Sequence, residues 1–139
     1  GSETAERAEA ICLDAEAQRW TIANLERFDP RDPDNREQLL TMADNLDQAT
    51  DDLEVMLNDV VAVAPTDDKG AEIVPLWEAD YRTYIEDRRE YTDGLRAGEI
   101  AGFTETALEG LPISEKLTTF ADENEMPSCA PPTDMPQAF

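Results

Sequence analysis

Histidine is absent from this 139-residue chain, and lysine occurs only at Lys69 and Lys116. Without histidine, the chain lacks the commonest general base and the commonest metal ligand of proteins. Ser-His-Asp and Cys-His catalysis are therefore excluded within it, and so is a di-iron centre built from Glu-x-x-His pairs. No apolar run reaches the roughly 18 residues that a membrane-spanning helix needs. We expect a domain that is not an enzyme and binds no cofactor or metal.

Positive charge is scarce. The 11 Lys and Arg residues face 33 Asp and Glu residues, which gives a formal net charge of −22 at pH 7. Such a field repels nucleic acid and anionic membrane surfaces and attracts cations or a basic protein. We therefore expect no nucleic-acid partner, and a protein or cationic partner if there is one. The acidity fits a salt-rich habitat, and the preference for arginine over lysine fits a GC-rich genome equally well.

The clearest pattern in the sequence is an apolar seam over residues 39–64. Its members are spaced alternately four and three residues apart, and all but one are apolar: Leu39, Ala43, Leu46, Thr50, Leu53, Leu57, Val60 and Ala64. This spacing places them on one face of a helix of about seven turns. Such a helix must lay its seam against partners. Three further amphipathic segments in the same chain can supply them, so we expect an internal strut and a monomer.

Those further segments predict helices over residues 2–27, 71–97 and 99–124, with breaks between them at FDPRDPDN and APTDDKG. Asp34 to Glu37 reads as a capping box for the second helix. Asp67 or Asp68 can begin the third helix, where Pro75 is tolerable only in the first turn. Pro112, just after Gly110, predicts a kink or short break in the fourth helix. The expected inward residues outside the second helix are Ala8, Ile11, Cys12, Leu13, Ala15, Ala17, Trp20, Ile22 and Leu25; Val74, Trp77, Tyr81, Tyr84, Ile85, Tyr91 and Leu95; and Phe103, Ala107, Leu111, Leu117, Phe120 and Ala121.

Short loops between four helices favour antiparallel neighbours. We therefore predict an all-α fold, an antiparallel up-down-up-down four-helix bundle over residues 1–126. Residues 127–139 are expected to form a Pro-rich extended tail. A three-helix bundle with a broken fourth helix is the main alternative.

Two cysteines, Cys12 and Cys129, lie near opposite ends of the chain. In an up-down-up-down bundle, the start of the first helix and the end of the fourth lie at the same end of the molecule. The topology therefore predicts a terminal disulfide that ties the tail, which fits an oxidising compartment. Two unrelated buried thiols in a cytosolic bundle are the alternative.

Two groups of aspartates could hold Ca²⁺ or another hard cation. They are Asp29, Asp32 and Asp34 in the FDPRDPDN loop, and Asp44, Asp47 and Asp51 on the back of the second helix. Calcium needs six to eight oxygens converging on one point, whereas a straight helix fans its carboxylates outward. The loop lacks the spacing, the glycine and the closing glutamate of an EF-hand. We favour a solvated acidic face and keep a cation-binding protein as the alternative function.

Arg88 occupies an inward position between Tyr84 and Tyr91. With Gln18 and either Glu105 or Glu109 it could form a buried polar layer that fixes the helix register, or line a small pocket. We favour a simpler interpretation, in which Arg88 extends from the seam to an acid on the second helix. The nearby aromatic residues could form a ligand slot, but at helical spacing they are typical of a core.

The segments AEAICLDAEA, LWEADY, LRAGEIAGF and MPSC, in this order, resemble a group of poorly characterised actinobacterial proteins. That group is expected to comprise exported or lipid-anchored helical domains with one cysteine near each end. The resemblance implies a location outside the cytoplasm and carries no catalytic or binding residue onto this chain. The high Asp and Glu content departs from the group.

The chain begins with Gly1 and Ser2 instead of Met, which is typical of a scar left by tag cleavage. We expect the natural N-terminus, with a signal or a membrane anchor, to lie upstream, so any membrane attachment would come through that anchor. The predicted function is a non-enzymatic domain, secreted or anchored at the cell envelope, that binds a partner or ligand.

Overall fold

The computed structural model describes residues 2–22, 36–99 and 102–132 of the chain. Within them lie four α-helices: α1 Ser2–Ile22, α2 Arg36–Val63, α3 Asp68–Arg96 and α4 Ile113–Glu123. A two-stranded antiparallel hairpin of β1 Ala107–Leu108 and β2 Leu111–Pro112 precedes α4, and a 3₁₀ turn, Pro127–Cys129, follows it. The predicted end of the first helix at Arg27, the aspartate loop and the Asp34 cap lie outside the described residues.

The seam of α2 is the centre of the packing, as the sequence predicts. Its members from Leu39 to Val60 are all buried, and only Ala64, just beyond the helix, is half-exposed. Helix α2 packs against α1 on one side and against α3 on the other. These are the two most extensive helix contacts among the described residues.

Helix α3 begins where the sequence places it. Asp67 is the N-cap, and its Oδ1 accepts a hydrogen bond of 2.8 Å from the backbone N–H of Gly70. Gly70 is needed there because a Cβ would collide with the carbonyl oxygen of Pro65. The expectation that Pro75 is tolerable only in the first turn is wrong, because α3 runs through it. Pro75 lies on the exposed side of the helix, where water can satisfy the carbonyl that loses its N–H partner.

The fourth helix is shorter than predicted. Residues 102–106 are extended, residues 107–112 form the hairpin, and α4 begins only at Ile113. The two turn residues between the strands, Glu109 and Gly110, have φ of 53° and 83°, and positive φ at both positions is typical of a two-residue hairpin turn. The break expected at Pro112 is present, but the helix predicted before it is not formed.

The disulfide between Cys12 and Cys129 is confirmed. Three hydrogen bonds hold the residues around Cys129 in place. Tyr81 Oη donates to the Cys129 carbonyl at 3.0 Å, Tyr84 Oη donates to the Pro132 carbonyl at 3.4 Å, and the Ser128 N–H donates to Glu9 Oε1 at 2.6 Å. The beginning of the expected extended tail is therefore a 3₁₀ turn bound to α1 and α3. Residues 133–139 lie outside the described residues, so the predicted division at residue 126 stays a prediction.

The described residues of the predicted core are buried or half-buried, with four exceptions. Leu13 and Ala17 on α1, Ala107 in β1 and Leu111 in β2 were expected to face inward and are exposed. On α1 the buried stripe is narrower than predicted, and at Ala107 and Leu111 the hairpin replaces the helical periodicity. The side chains of Trp20, Ile22 and Leu25 lie outside the described residues. None of the described helices combines the length and the apolarity needed to cross a membrane.

Candidate functional site

An open groove of about 480 Å³ lies between α3 and α4. Ile73, Leu76, Trp77 and Asp80 line it from α3, and Leu111 lines it from β2. The α4 side is formed by Glu115, Lys116, Leu117, Thr119, Phe120 and Glu123. Its volume falls within the range of about 300–1,000 Å³ that is typical of ligand pockets.

Aromatic rings form the floor of the groove. Trp77 stacks on Phe120 with ring centroids 5.8 Å apart and meets Tyr81 edge-on at 5.5 Å. Trp77 is 4% exposed, and its Nε1 is a buried side-chain atom with no hydrogen-bond partner. A buried donor without an acceptor costs about 1–3 kcal/mol, so the floor is not optimised for stability alone. Trp77 and Phe120 also line a smaller cavity of about 100 Å³ beside the groove, next to α1.

The walls combine exposed leucines with carboxylates. Leu76 is 64% exposed and Leu111 55% exposed, and both line the groove. Lys116 Nζ lies 2.9 Å from Asp80 Oδ2, so the lysine of the groove is neutralised by the opposite wall. Glu115 and Glu123 on α4 are exposed and form no ion pair with any described residue. The groove is thus apolar at its base and negative along its α4 edge.

Two carboxylates position α4 and so shape the groove. Asp87 on α3 accepts hydrogen bonds from the backbone N–H and the hydroxyl of Thr106, at 2.6 and 3.0 Å. Glu105 accepts from the backbone N–H and the hydroxyl of Ser114 at the start of α4, at 2.6 and 2.8 Å. A carboxylate at a helix N-terminus is stabilising because it satisfies free N–H groups at the positive end of the helix dipole.

The residues predicted to form a polar layer lie in different environments. Arg88 is fully buried, its Nε donates to Thr50 Oγ1 at 2.9 Å, and its guanidinium carbon lies 5.9 Å from the centroid of the Tyr84 ring. Gln18 is exposed on α1 and donates to Asp14. Glu105 caps α4, and Glu109 is exposed in the hairpin turn. The structure thus places Arg88 inside the α2–α3 contact with Thr50 as one of its partners, and the predicted extension to an acid on the second helix stays a prediction.

The aspartates predicted as cation ligands on α2 are occupied by arginines of α3. Arg96 Nη2 lies 2.9 Å from Asp44 and 2.6 Å from Asp47, and Arg89 Nη2 lies 2.9 Å from Asp51. Within residues 2–22, 36–99 and 102–132, no group of three or more acidic or cysteine side chains could hold a metal ion. Asp29, Asp32 and Asp34 lie outside those ranges.

These ion pairs change the proton affinities of the arginines. Burial lowers the pKa of Arg89, but its hydrogen bonds to Asp51 and Glu54 outweigh this and hold the pKa above its ordinary value. Hydrogen bonds to Asp44 and Asp47 likewise raise the pKa of Arg96. The back of α2 is therefore not the simple solvated acidic face that the sequence indicates, since part of it is neutralised by α3.

A further charge pair joins α1 to α2. Arg19 is 5% exposed, and its Nη1 lies 3.1 Å from Asp52 Oδ2 and 3.9 Å from the sulfur of Met56. Burial raises the pKa of the Asp52 carboxyl above its ordinary value, although the positive charge of Arg19 pulls it down. The sequence offered a weak signal for this pair, because Arg19 follows Ala8, Cys12 and Ala15 at helical spacing on the buried face of α1.

A small acidic cavity of about 200 Å³ lies at the other end of α3. Asp87, Glu90 and Glu99 surround it with Gly94 and Gly102. Asp87 is already occupied by Thr106, so the cavity offers less free negative charge than its residue types suggest.

Sequence reasoning missed the groove because it placed Leu111 on the inner face of a fourth helix, with only a kink or short break expected at Pro112. The pair Glu109–Gly110 between leucines, followed by Pro112, is the local signal that could have indicated a hairpin. No family model, no curated protein and no solved structure matches this chain. The geometry of the groove is therefore the principal indication of function.

Proposed function

We propose that this protein is a non-enzymatic domain outside the cytoplasm, exported or lipid-anchored, that binds a protein partner at the cell envelope through the α3–α4 groove. The observation that carries the proposal is the exposure of Leu76 and Leu111 over the stacked rings of Trp77 and Phe120. Exposed apolar side chains around a cleft are typical of interaction sites.

The proposed topology is the antiparallel up-down-up-down bundle. Successive contacts between α2 and α3 support it, because the residue number falls along α2 as it rises along α3. Arg82 bonds to Asn58, Arg89 to Asp51 and Arg96 to Asp44. The disulfide supports the same arrangement, since it joins the first half of α1 to the turn that follows α4.

The proposed location rests on the disulfide and on the resemblance to exported actinobacterial domains. A disulfide persists in oxidising compartments and is rare in the cytosol. Expression of the chain in a bacterial host with and without an export signal tests this directly. We expect no free thiols in denatured exported protein and two in the cytosolic form. A cytosolic form that is equally oxidised would remove this support.

Binding at the groove can be tested with N-phenylnaphthylamine, a neutral dye whose fluorescence rises in apolar surroundings. The groove variant carries Leu76→Gln and Leu111→Gln. The control variant carries Leu13→Gln and Val55→Gln, which change two equally exposed apolar residues outside the groove.

We expect saturable dye binding that the groove variant weakens by about tenfold, equivalent to about 1.4 kcal/mol, while the control variant binds like the unmodified protein. Circular dichroism melting curves of both variants check that the fold is intact. Equal loss in both variants, or no saturable binding at all, would contradict the proposed site.

A further inference from the structure

We infer that the partner segment seated in the α3–α4 groove is a cationic amphipathic helix, with Lys or Arg side chains flanking an apolar stripe. The inference rests on the proposed function and specifies the chemistry of its partner.

The shape of the groove fits a helix. Its two long walls are themselves helices, and its base is apolar over Ile73, Trp77, Leu117 and Phe120. An amphipathic helix that lays its apolar face into a hydrophobic groove presents side chains at i, i+3, i+4 and i+7. The leucines Leu76 and Leu111 on opposite walls would then cover that stripe from both sides.

The carboxylates along the groove favour a partner with positive charge. Glu115 and Glu123 stand eight positions apart on α4, with Thr119 midway between them, so the three lie along one edge of the helix. At a rise of 1.5 Å per residue the two glutamates are about 12 Å apart along the helix axis. Cationic residues at i and i+7 or i+8 of a partner helix laid along α4 would match this distance.

The cations of the protein itself do not oppose this match. Lys116 is the basic residue of the groove, and Asp80 neutralises it at 2.9 Å. The net charge of −22 adds a long-range attraction for a positive partner. The glutamates on the α4 edge and the net charge of −22 both disfavour the other candidate occupants. A second copy of this acidic chain and an anionic membrane surface would each be repelled.

The probe is a pair of fluorescein-labelled 15-residue peptides with the same leucine stripe, one carrying lysine and the other glutamate on the polar face. Binding is measured by fluorescence anisotropy with the unmodified protein and three double variants. The first is the groove variant Leu76→Gln with Leu111→Gln. The second is the edge variant Glu115→Gln with Glu123→Gln. The third is Glu6→Gln with Glu86→Gln, a control that removes the same charge from exposed positions outside the groove.

We expect the lysine peptide to bind and the glutamate peptide not to bind. The groove variant should weaken the lysine peptide by about tenfold, and the edge variant by about fivefold, equivalent to about 1 kcal/mol. The charge-matched control should change its affinity by less than about twofold, because distant charges are screened by salt.

Three results would overturn the inference. If the lysine peptide binds all variants equally, the attraction comes from overall charge and not from the groove. If N-phenylnaphthylamine binds at the groove but the lysine peptide does not, the proposed function stands and the cationic partner is wrong. If phosphatidylglycerol vesicles bind the protein and the groove variant abolishes that binding, the occupant is a lipid surface instead of a helix.

Discussion

Helix α3 packs against both α2 and α4, and it meets these two helices in different ways. Against α2 it is joined by hydrogen bonds and ion pairs along its C-terminal half, from Arg82 to Arg96. Against α4 it leaves an open groove in which the one lysine is paired across to Asp80. Both contacts are anchored by buried apolar residues, so the difference lies in how charge is distributed around them.

The distribution of arginine explains the difference. Each arginine of α3 bonds to α2 or pairs with acids there: Arg82 with Asn58, Arg88 with Thr50, Arg89 with Asp51 and Glu54, and Arg96 with Asp44 and Asp47. In a chain with three acids for every base, two acidic helices pack closely only where the few cations lie between them. No basic residue in the described part of the chain pairs with Glu115 or Glu123 on the α4 edge of the groove, and we propose that a partner supplies the positive charge.

The disulfide ties the segment that follows α4 to α1. Replacing both Cys12 and Cys129 by alanine removes a link across 117 positions of sequence. On loop-entropy grounds this should lower the free energy of unfolding by about 4–5 kcal/mol. Urea denaturation of the oxidised protein and of the double variant measures the difference.

Hydrogen exchange on the same pair shows where the loss falls. We expect amides of α4 and residues 126–132 to lose protection before those of α2 and α3, because the disulfide ties that segment to α1. Uniform loss across the chain would mean that the two sides of α3 unfold together.

The buried guanidinium of Arg88 tests the contact between α2 and α3. Thr50→Val removes the hydroxyl that accepts from Arg88 Nε and leaves that donor without this partner inside the α2–α3 contact. We expect a loss of about 1.5–3 kcal/mol in the free energy of unfolding, as for hydrogen bonds to charged groups.

Thr83→Val is the matched control for Thr50→Val. Both hydroxyls donate to the carbonyl four residues earlier, but Thr83 lies towards the surface of α3, where its hydroxyl bonds to the Ala79 carbonyl. Its replacement should change the free energy of unfolding by less than about 0.5 kcal/mol. Similar losses for both variants would show that the intrahelical bond, and not Arg88, matters.

The capping carboxylate of α4 tests what holds the groove in shape. Glu105→Ala removes both hydrogen bonds to Ser114 and should cost about 1 kcal/mol. Because the start of α4 would fray, dye binding at the groove should weaken with it. Glu123→Ala, at the other end of α4, is the control for stability and should leave the unfolding midpoint nearly unchanged.

The surface ion pairs should contribute least. Arg96 is about one-third exposed and Asp44 is 70% exposed, so Arg96→Ala should cost less than about 1 kcal/mol. The loss should shrink further in 1 M NaCl, where the Debye length is about 3 Å. A larger loss that persists in high salt would mean that packing of the arginine stem, and not charge, joins α2 to α3.

The sequence predicted the residues whose environment follows from local periodicity. The four–three spacing of Leu39 to Val60 found the buried seam, and the cap at Asp67 found the start of α3. The failures occurred where two local rules conflict. Around Gly110 the apolar spacing favoured a helix, whereas Gly110 and Pro112 favoured a turn. The structure forms the turn, with positive φ at Glu109 and Gly110.

Arg88 shows what the apolar spacing of one helix does not reveal. Its inward position was visible in the sequence, but its environment was not, because the acceptor Thr50 lies 38 positions away on another helix. The same holds for Arg89 and Arg96 of α3, which pair with the aspartates on the back of α2. A pattern of charges along one helix does not show which helix will face it. Contacts between distant segments depend on how the helices are rotated against each other.

By itself, the sequence determined the helices α1 to α3, the seam that joins them and the pairing of the two cysteines. Apolar spacing and chain order carry this information, and both are local or topological. Only the tertiary structure decided that an open groove exists beside Trp77. The groove depends on the hairpin and on the hydrogen bonds that Asp87 and Glu105 make to Thr106 and Ser114. Those bonds set where α4 lies against α3, and no periodicity in the chain encodes the separation of the two helices.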